Sequence, residues 1–192
     1  TDLAIPRRDF VMEEIKGKLI ISGGVDATGG LTEDLDIYDI NNGVWSKGNF
    51  GGVARKNHAS VEYNGKLYVW GGEDQNGNLV SSLDIYDAVA DNWFQRTSEG
   101  TNRKSHCACE FEGRIYFWGG VDPVNQMVKT FDIYDINSNI WFTGPVVPEP
   151  RKNSSCVSFE GKLYFIGGED EIGETSSKIS VYDVDKNIFL ND

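Results

Sequence analysis

Two histidines, three cysteines and one acidic loop are the residues of this chain whose types suit chemistry. His58 and His106 are its only histidines and stand 48 residues apart. Imidazoles at matched positions would suit a shared metal, but a zinc shell takes four donors and no cysteine or carboxylate cluster supplies the rest. Both are therefore read as packing groups at the start of a strand. Cys107, Cys109 and Cys156 are odd in number and none recurs at the same step, so no disulfide framework follows. They read as reduced thiols filling small buried positions in a cytosolic compartment. Asp74-Gln75-Asn76-Gly77-Asn78 opens like a calcium loop, yet its twelfth position is Ile85 where a bidentate Glu is required. No metal, cofactor or catalytic residue is assigned, and function is expected to lie in surfaces rather than in chemistry.

The elements that hold these residues follow from the same step. Gly23-Gly24, Gly71-Gly72, Gly119-Gly120 and Gly167-Gly168 keep it, as do Tyr38, Tyr86, Tyr134 and Tyr182. So do Trp45, Trp93 and Trp141, with Phe189 in the fourth place. A fixed period with three markers in constant phase means four copies of one supersecondary unit, at a repeat length typical of solenoids and propellers. The copies run 7–54, 55–102, 103–150 and 151–192, within one domain spanning 1–192.

In the second copy, Ala59 to Tyr63 and Lys66 to Trp70 flank Asn64-Gly65, the signature of a two-residue hairpin. Gly71-Gly72 ends the second run, and a polar loop follows. Leu83 to Asp87 then alternates apolar and polar residues as a half-buried strand does, and Trp93 to Arg96 forms a fourth strand. Each repeat thus predicts four short antiparallel strands. Arg7-Arg8, Arg55-Lys56, Arg103-Lys104 and Arg151-Lys152 precede the first strand of each copy. Trp70 and Trp118 close the second strand in two copies, where Ser22 and Ile166 stand in the others.

Composition narrows the partners. The formal net charge of −12 argues against nucleic acid, which wants a basic face, and against an anionic membrane surface. No apolar run approaches the about 20 residues of a membrane helix, and no signal-peptide pattern is present, so a cytoplasmic location is expected. With 22 glycines against 5 prolines, tight turns between short strands are expected rather than disorder. Asn153-Ser154-Ser155 matches a glycosylation sequon and is attributed to chance.

A glycine doublet ending a strand, followed by a Tyr and a Trp at these spacings, resembles the kelch repeat across essentially the whole chain. The resemblance implies an all-β β-propeller of four-stranded antiparallel blades around a channel, four blades in this chain. It assigns the glycine doublets to sharp turns and the Tyr and Trp side chains to the wedge between adjacent blades. Because the chain starts at Thr1 and stops at the same phase of the repeat, no terminal strand is left to complete a neighbouring blade. A stretch of a larger propeller of the six-bladed type is expected. A closed four-bladed ring and a ring completed by another chain are the alternatives.

In such a meander the loops before the first strand and after the second share one face. The loops after the second strand, 25–33, 73–80, 121–128 and 169–176, carry Asp26, Asp74, Asp122 and Asp170. With the basic pairs they predict an alternating ring of charge on that face, whose members are expected to neutralise one another as exposed ion pairs. Two residues beyond the first Arg of each pair stand Asp9, Asn57, Ser105 and Asn153, all polar. In kelch adaptors that this chain resembles, that region lines the channel mouth and contacts peptides. The resemblance thus marks these four, with the four loop aspartates, as partner-binding candidates. None of the four is an Arg, which sets this chain apart from relatives that grip acidic peptides. The expected role is a non-catalytic protein-interaction module of the scaffold or adaptor kind. Ubiquitin-ligase adaptors, actin-associated scaffolds and ciliary or other cytoskeletal assemblies are the family's contexts. The alternative is a small kelch enzyme, such as a sugar mutarotase, acting in the channel. The copper ligands of the family's oxidase, Tyr, His and Cys, find no matching set here.

Overall fold

The computed structural model describes residues 2–190, so Thr1 and the last two residues of the fourth repeat, Asn191 and Asp192, lie outside the described residues. The chain divides into two compact units, Thr1–Thr97 and Ser98–Asp192. All regular elements among the described residues are strands. No helix is long and apolar enough to cross a membrane.

In the first unit, β1 (Arg7–Arg8) pairs with β4 (Val25–Asp26). One four-stranded sheet runs β2 (Val11–Ile15), β3 (Lys18–Ser22), β5 (Leu35–Asp39) and β6 (Val44–Gly48). The other runs β7 (Ala59–Tyr63), β8 (Lys66–Trp70), β9 (Ser82–Asp87) and β10 (Asn92–Thr97). The second unit repeats the plan with β11 (Cys107–Phe111), β12 (Arg114–Trp118), β13 (Asp132–Asp135) and β14 (Ile140–Thr143). Its second sheet is β15 (Ser155–Phe159), β16 (Lys162–Ile166), β17 (Ile179–Asp183) and β18 (Ile188–Leu190). Every pairing within these sheets is antiparallel and, apart from β4 lying between β3 and β5, joins strands that follow one another in the chain, so each sheet is a blade that forms from local contacts.

The expected hairpins are present in all four blades. Lys16, Asn64, Glu112 and Glu160 have φ of 51, 51, 51 and 47°, and the glycines after them have φ of 79, 77, 76 and 73°. Two consecutive positive φ values make the type I′ turn, whose twist matches the flanking strands.

The cores lie between sheets. In the first unit Ile15, Ile20, Leu35, Ile37, Leu67, Val69 and Tyr86 form one cluster drawn from both blades. In the second, Trp118 stacks on Phe165 of the next sheet, with ring centroids 4.8 Å apart and planes 11° from parallel. The repeat step therefore sorts each strand's two faces, one toward the preceding blade and one toward the following blade. Val157 and Ile166 are 53% and 43% exposed, where the matched Cys109 and Trp118 are 7% and 0%.

Candidate functional site

The basic pairs before each first strand do not form the predicted ring of surface charge. The first Arg of each pair turns inward. Arg103 ion-pairs with Asp132 of β13, and its other N–H groups donate to the carbonyls of Thr101 (3.0 Å), Gly119 (3.1 Å) and Thr130 (3.0 Å). Arg55 repeats this with Asp84 and the carbonyls of Val53, Gly71 and Ser82, and Arg7 with Asp36. Arg55 and Arg103 are 1% and 0% exposed. The physical reason is the carboxylate on the third strand, which compensates the guanidinium inside the blade so that one cation can tie three segments together. Burial pulls the Arg103 pKa down to about 10 against the opposing effect of Asp132, which leaves it charged at neutral pH. The fourth blade differs: Ser180 stands where the aspartates stand, and its hydroxyl meets Arg151 at 3.2 Å.

The second basic residue does reach the loop face, where it is neutralised locally. Lys56 lies 3.6 Å from Glu73 and Lys152 lies 3.2 Å from Glu169. The backbones join there too. Lys56 and Glu73 exchange N–H···O bonds of 3.1 and 3.0 Å, Lys104 and Val121 bonds of 3.0 and 2.9 Å, and Lys152 and Glu169 bonds of 3.1 and 2.9 Å. The two loop sets expected to share a face are thus stitched together within every blade.

Asp9, Asn57, Ser105 and Asn153 lie on this seam with φ of 58, 55, 57 and 57°. This is the left-handed region, which small polar side chains tolerate best among non-glycine residues. Their shared polarity has a backbone cause. Two of them also brace the seam, since the Asn57 amide donates to Glu73 at 3.2 Å and the Asn153 amide to Glu169 at 2.9 Å. In the second unit Asn153 donates its backbone N–H to the Ser105 carbonyl at 2.8 Å, which brings those two candidates side by side.

The four loop aspartates hold their own loops. Asp74 accepts backbone N–H groups from Asn76 (2.8 Å) and Asn78 (2.9 Å), and Asp122 accepts from Val124 (2.9 Å) and Gln126 (2.8 Å). Asp170 accepts from Ile172 (3.0 Å) and Glu174 (2.9 Å), and Asp26 from Thr28 (2.8 Å) and Gly30 (3.0 Å). The Thr28 hydroxyl holds the Asp26 carboxyl below its usual pKa, and the Asn78 side chain does the same for Asp74. Each aspartate thereby rigidifies a loop whose tip differs in every copy. Val124 and Ile172 at two tips are 70% and 80% exposed. In the second unit Ile172, Pro148, Pro150, Lys129 and Lys178 line a groove of about 410 Å³.

His58 and His106 are packing groups. His58 lies against Gly23 of the preceding blade and Gly72 of its own, and His106 lies against Gly120. Burial first, then the Arg55 charge, pushes the His58 pKa down to about 3. The folded state therefore keeps His58 neutral while the unfolded chain protonates it near pH 6.5, so stability falls as pH drops from there toward 3. His58 alone is expected to remove about 2 kcal/mol between pH 7 and pH 5. Urea unfolding at the two pH values checks this. His58→Phe, which copies Phe10 at the matched position of the first repeat, should flatten that loss; an unchanged slope would contradict it. Among the described residues no three His, Cys, Asp or Glu side chains converge as metal ligands.

The family model described as the KLHDC2/KLHL20/DRC7 Kelch-repeats domain matches residues 57–189. The chain belongs to the kelch-repeat family. Among solved structures, "Structure of YjhT" superposes with a TM-score of 0.83 over 98% of this chain and 69% of that one, at 14% identity. That likeness carries the fold, a kelch β-propeller architecture with four blades in this chain. No curated protein matches the sequence.

The kelch Tyr and Trp markers meet each other within each blade, with Phe189 in place of Trp in the fourth. Tyr38, Tyr86 and Tyr134 pair across strands with Trp45, Trp93 and Trp141, with centroids 4.9, 5.2 and 5.1 Å apart, and Tyr182 pairs with Phe189 at 5.2 Å. Trp93 also reaches the preceding kelch blade, donating its indole N–H to the Asn49 carbonyl at 2.7 Å. Gly24 and Gly120 donate their N–H to the carbonyls of Arg55 and Arg151 of the following blade, at 2.9 Å in both cases. The unpredicted residues are Asp36, Asp84 and Asp132. Each lies 29 positions after its arginine, and that constant offset is the signal that finds them.

Proposed function

We propose that this kelch chain is a non-catalytic protein-interaction module, a scaffold or adaptor in the cytoplasm that captures a partner protein on its loop face. The observation that carries this reading is the combination of held loops and divergent tips. Aspartate staples and backbone seams fix the loops, so little ordering entropy is lost on binding. The tips present Ala27-Thr28, Gln75-Asn76, Pro123-Val124 and Glu171-Ile172, four different chemistries on one repeated frame. A rigid scaffold under variable loops is the usual arrangement for recognition. Buried, neutral His58 supports the same reading, because a general base must reach its substrate.

Photo-crosslinking tests it. A crosslinking residue placed at Val124 or Ile172 is expected to give discrete protein adducts in cells. The same residue at Val89, which is 72% exposed in a turn after the third strand, should give few. Ile172→Asp should weaken capture about tenfold without altering stability. Equal labelling from Val89, or a turnover activity that depends on His58 or His106, would overturn the proposal.

A further inference from the structure

The three cysteines, scattered in sequence, converge in one interface. The N–H of Asn153 on the Ser105 carbonyl sets the level of β15 beside β11. Asn153 is thereby level with Ser105, and Cys156 falls at a height between Cys107 and Cys109. The faces agree as well. Cys109, 7% exposed, lies in the buried cluster that includes Leu163 and Phe165 of the following blade, so it faces that blade. Cys156 shares its position with Ser60, whose hydroxyl reaches back to Glu13 of the preceding blade at 2.7 Å. Cys109 and Cys156 therefore point at each other across the interface, and Cys156 packs against the core cluster that contains Cys107 and Cys109.

The surroundings distinguish the three thiols. Cys107 donates its S–H to the Trp118 carbonyl at 3.8 Å and also lies within hydrogen-bonding reach of Cys156. The neighbouring thiols, Cys107 and then Cys109, lower the pKa of Cys156, whereas Cys156 together with burial raises that of Cys109. Two guanidiniums, Arg103 and Arg151, lie within electrostatic reach of the cluster at Cys107. Arg151 is the one whose third-strand partner is the neutral Ser180 rather than an aspartate, and the Glu149 carboxylate is the acidic group within its electrostatic reach. A cation next to a thiol favours the thiolate, which is the reactive form. Cys156 is half-buried, whereas Cys107 and Cys109 are buried.

We propose that Cys156 and Cys109 are a reversible dithiol–disulfide pair that locks the last two blades together under hydroperoxide. The Cys156 thiolate attacks the peroxide, forming an S–O bond as the O–O bond breaks and hydroxide leaves. The Cys109 thiol then attacks that sulfur, forming the S–S bond as the S–O bond breaks. Its proton leaves with the departing oxygen as water. Two thiols and one hydrogen peroxide thus become one disulfide and two waters, and a dithiol reductant reverses the change.

The purified chain is reduced, treated with hydrogen peroxide, blocked with an alkylating agent, and its thiols counted after denaturation. Loss of two of the three thiols is expected, with full return under dithiothreitol. Peptide mapping should place the bridge between Cys156 and Cys109 and leave Cys107 alkylated. Cys107→Ser should keep the bridge. Cys156→Ala and Cys109→Val should abolish it, and they place in these sites the residues the repeat itself uses, Ala108 and Val61. Urea unfolding of both variants confirms that they fold. Retention of all three thiols in the folded wild type would overturn the proposal, as would a bridge to Cys107 or oxidation of Cys156 beyond the sulfenic acid without any bridge.

Discussion

Arg103→Ala is expected to destabilise the second unit by about 3–5 kcal/mol, the cost of stranding a buried charge by removing its partner. The Asp132 carboxylate would remain at 3% exposure. The Thr101 N–H (3.1 Å) and the Thr130 hydroxyl (3.3 Å) would remain near it in place of the guanidinium. The Gly119 and Thr130 carbonyls would lose their donors as well. Arg151→Ala offers the internal contrast, because the fourth blade has Ser180 in the matched place and no third-strand carboxylate is stranded. Its loss should be visibly smaller. Removing both charges in the third blade, as Arg103→Met with Asp132→Leu, should recover part of the loss, since no lone ion is left in the core. Urea unfolding followed by tryptophan fluorescence reads all three. Equal losses for Arg103→Ala and Arg151→Ala would show that the carbonyl bonds, and not the ion pair, dominate.

Gly119→Ala is the second large effect, expected at about 3–5 kcal/mol from backbone strain and overpacking together. Gly119 has φ of +69°, and a methyl group on its Cα would overlap the Arg151 carbonyl oxygen of the next blade. That oxygen also accepts the N–H of Gly120, so it cannot retreat without breaking the bond that joins the two blades. Gly77→Ala separates the two causes. It has φ of +83° with nothing within 4 Å of the added carbon, so it carries the strain without the collision. A loss of about 1–2 kcal/mol is expected there. If the two variants lose the same stability, close approach between blades is not the reason for the doublet.

Most of the architecture was legible because it repeats. The hairpin glycines, the Tyr and Trp pairs and the glycine doublets depend on local sequence, and four copies in phase remove ambiguity from each. The arginines were misplaced for a definite reason. Arg55 stands beside Lys56, and two adjacent cations read as a solvated pair. Strand alternation sends them opposite ways, and the Asp84 that captures the first is remote in sequence. The candidate site was legible in position more than in role. Asp9, Asn57, Ser105 and Asn153 each lie at the loop seam of their own blade, but a left-handed backbone explains their polarity, and no composition argument exposes a φ angle. Asp26, Asp74, Asp122 and Asp170 looked like ligand groups because a carboxylate does not reveal that its own loop will occupy it. The meeting of Cys107, Cys109 and Cys156 was hidden for a further reason: it needs the register between two blades, which the repeat period alone does not supply.

The aspartate staples also bear on how such a chain changes over generations. Each loop closes on its aspartate through bonds to backbone N–H groups two and four positions later, whatever side chains those positions carry. The residues in between can therefore drift, or be exchanged wholesale, without altering how the loop leaves and rejoins its strands. Every blade holds one such cassette on a common mount. Selection, or a designer's library, can then search binding chemistry one cassette at a time while the fold stays out of reach of the search.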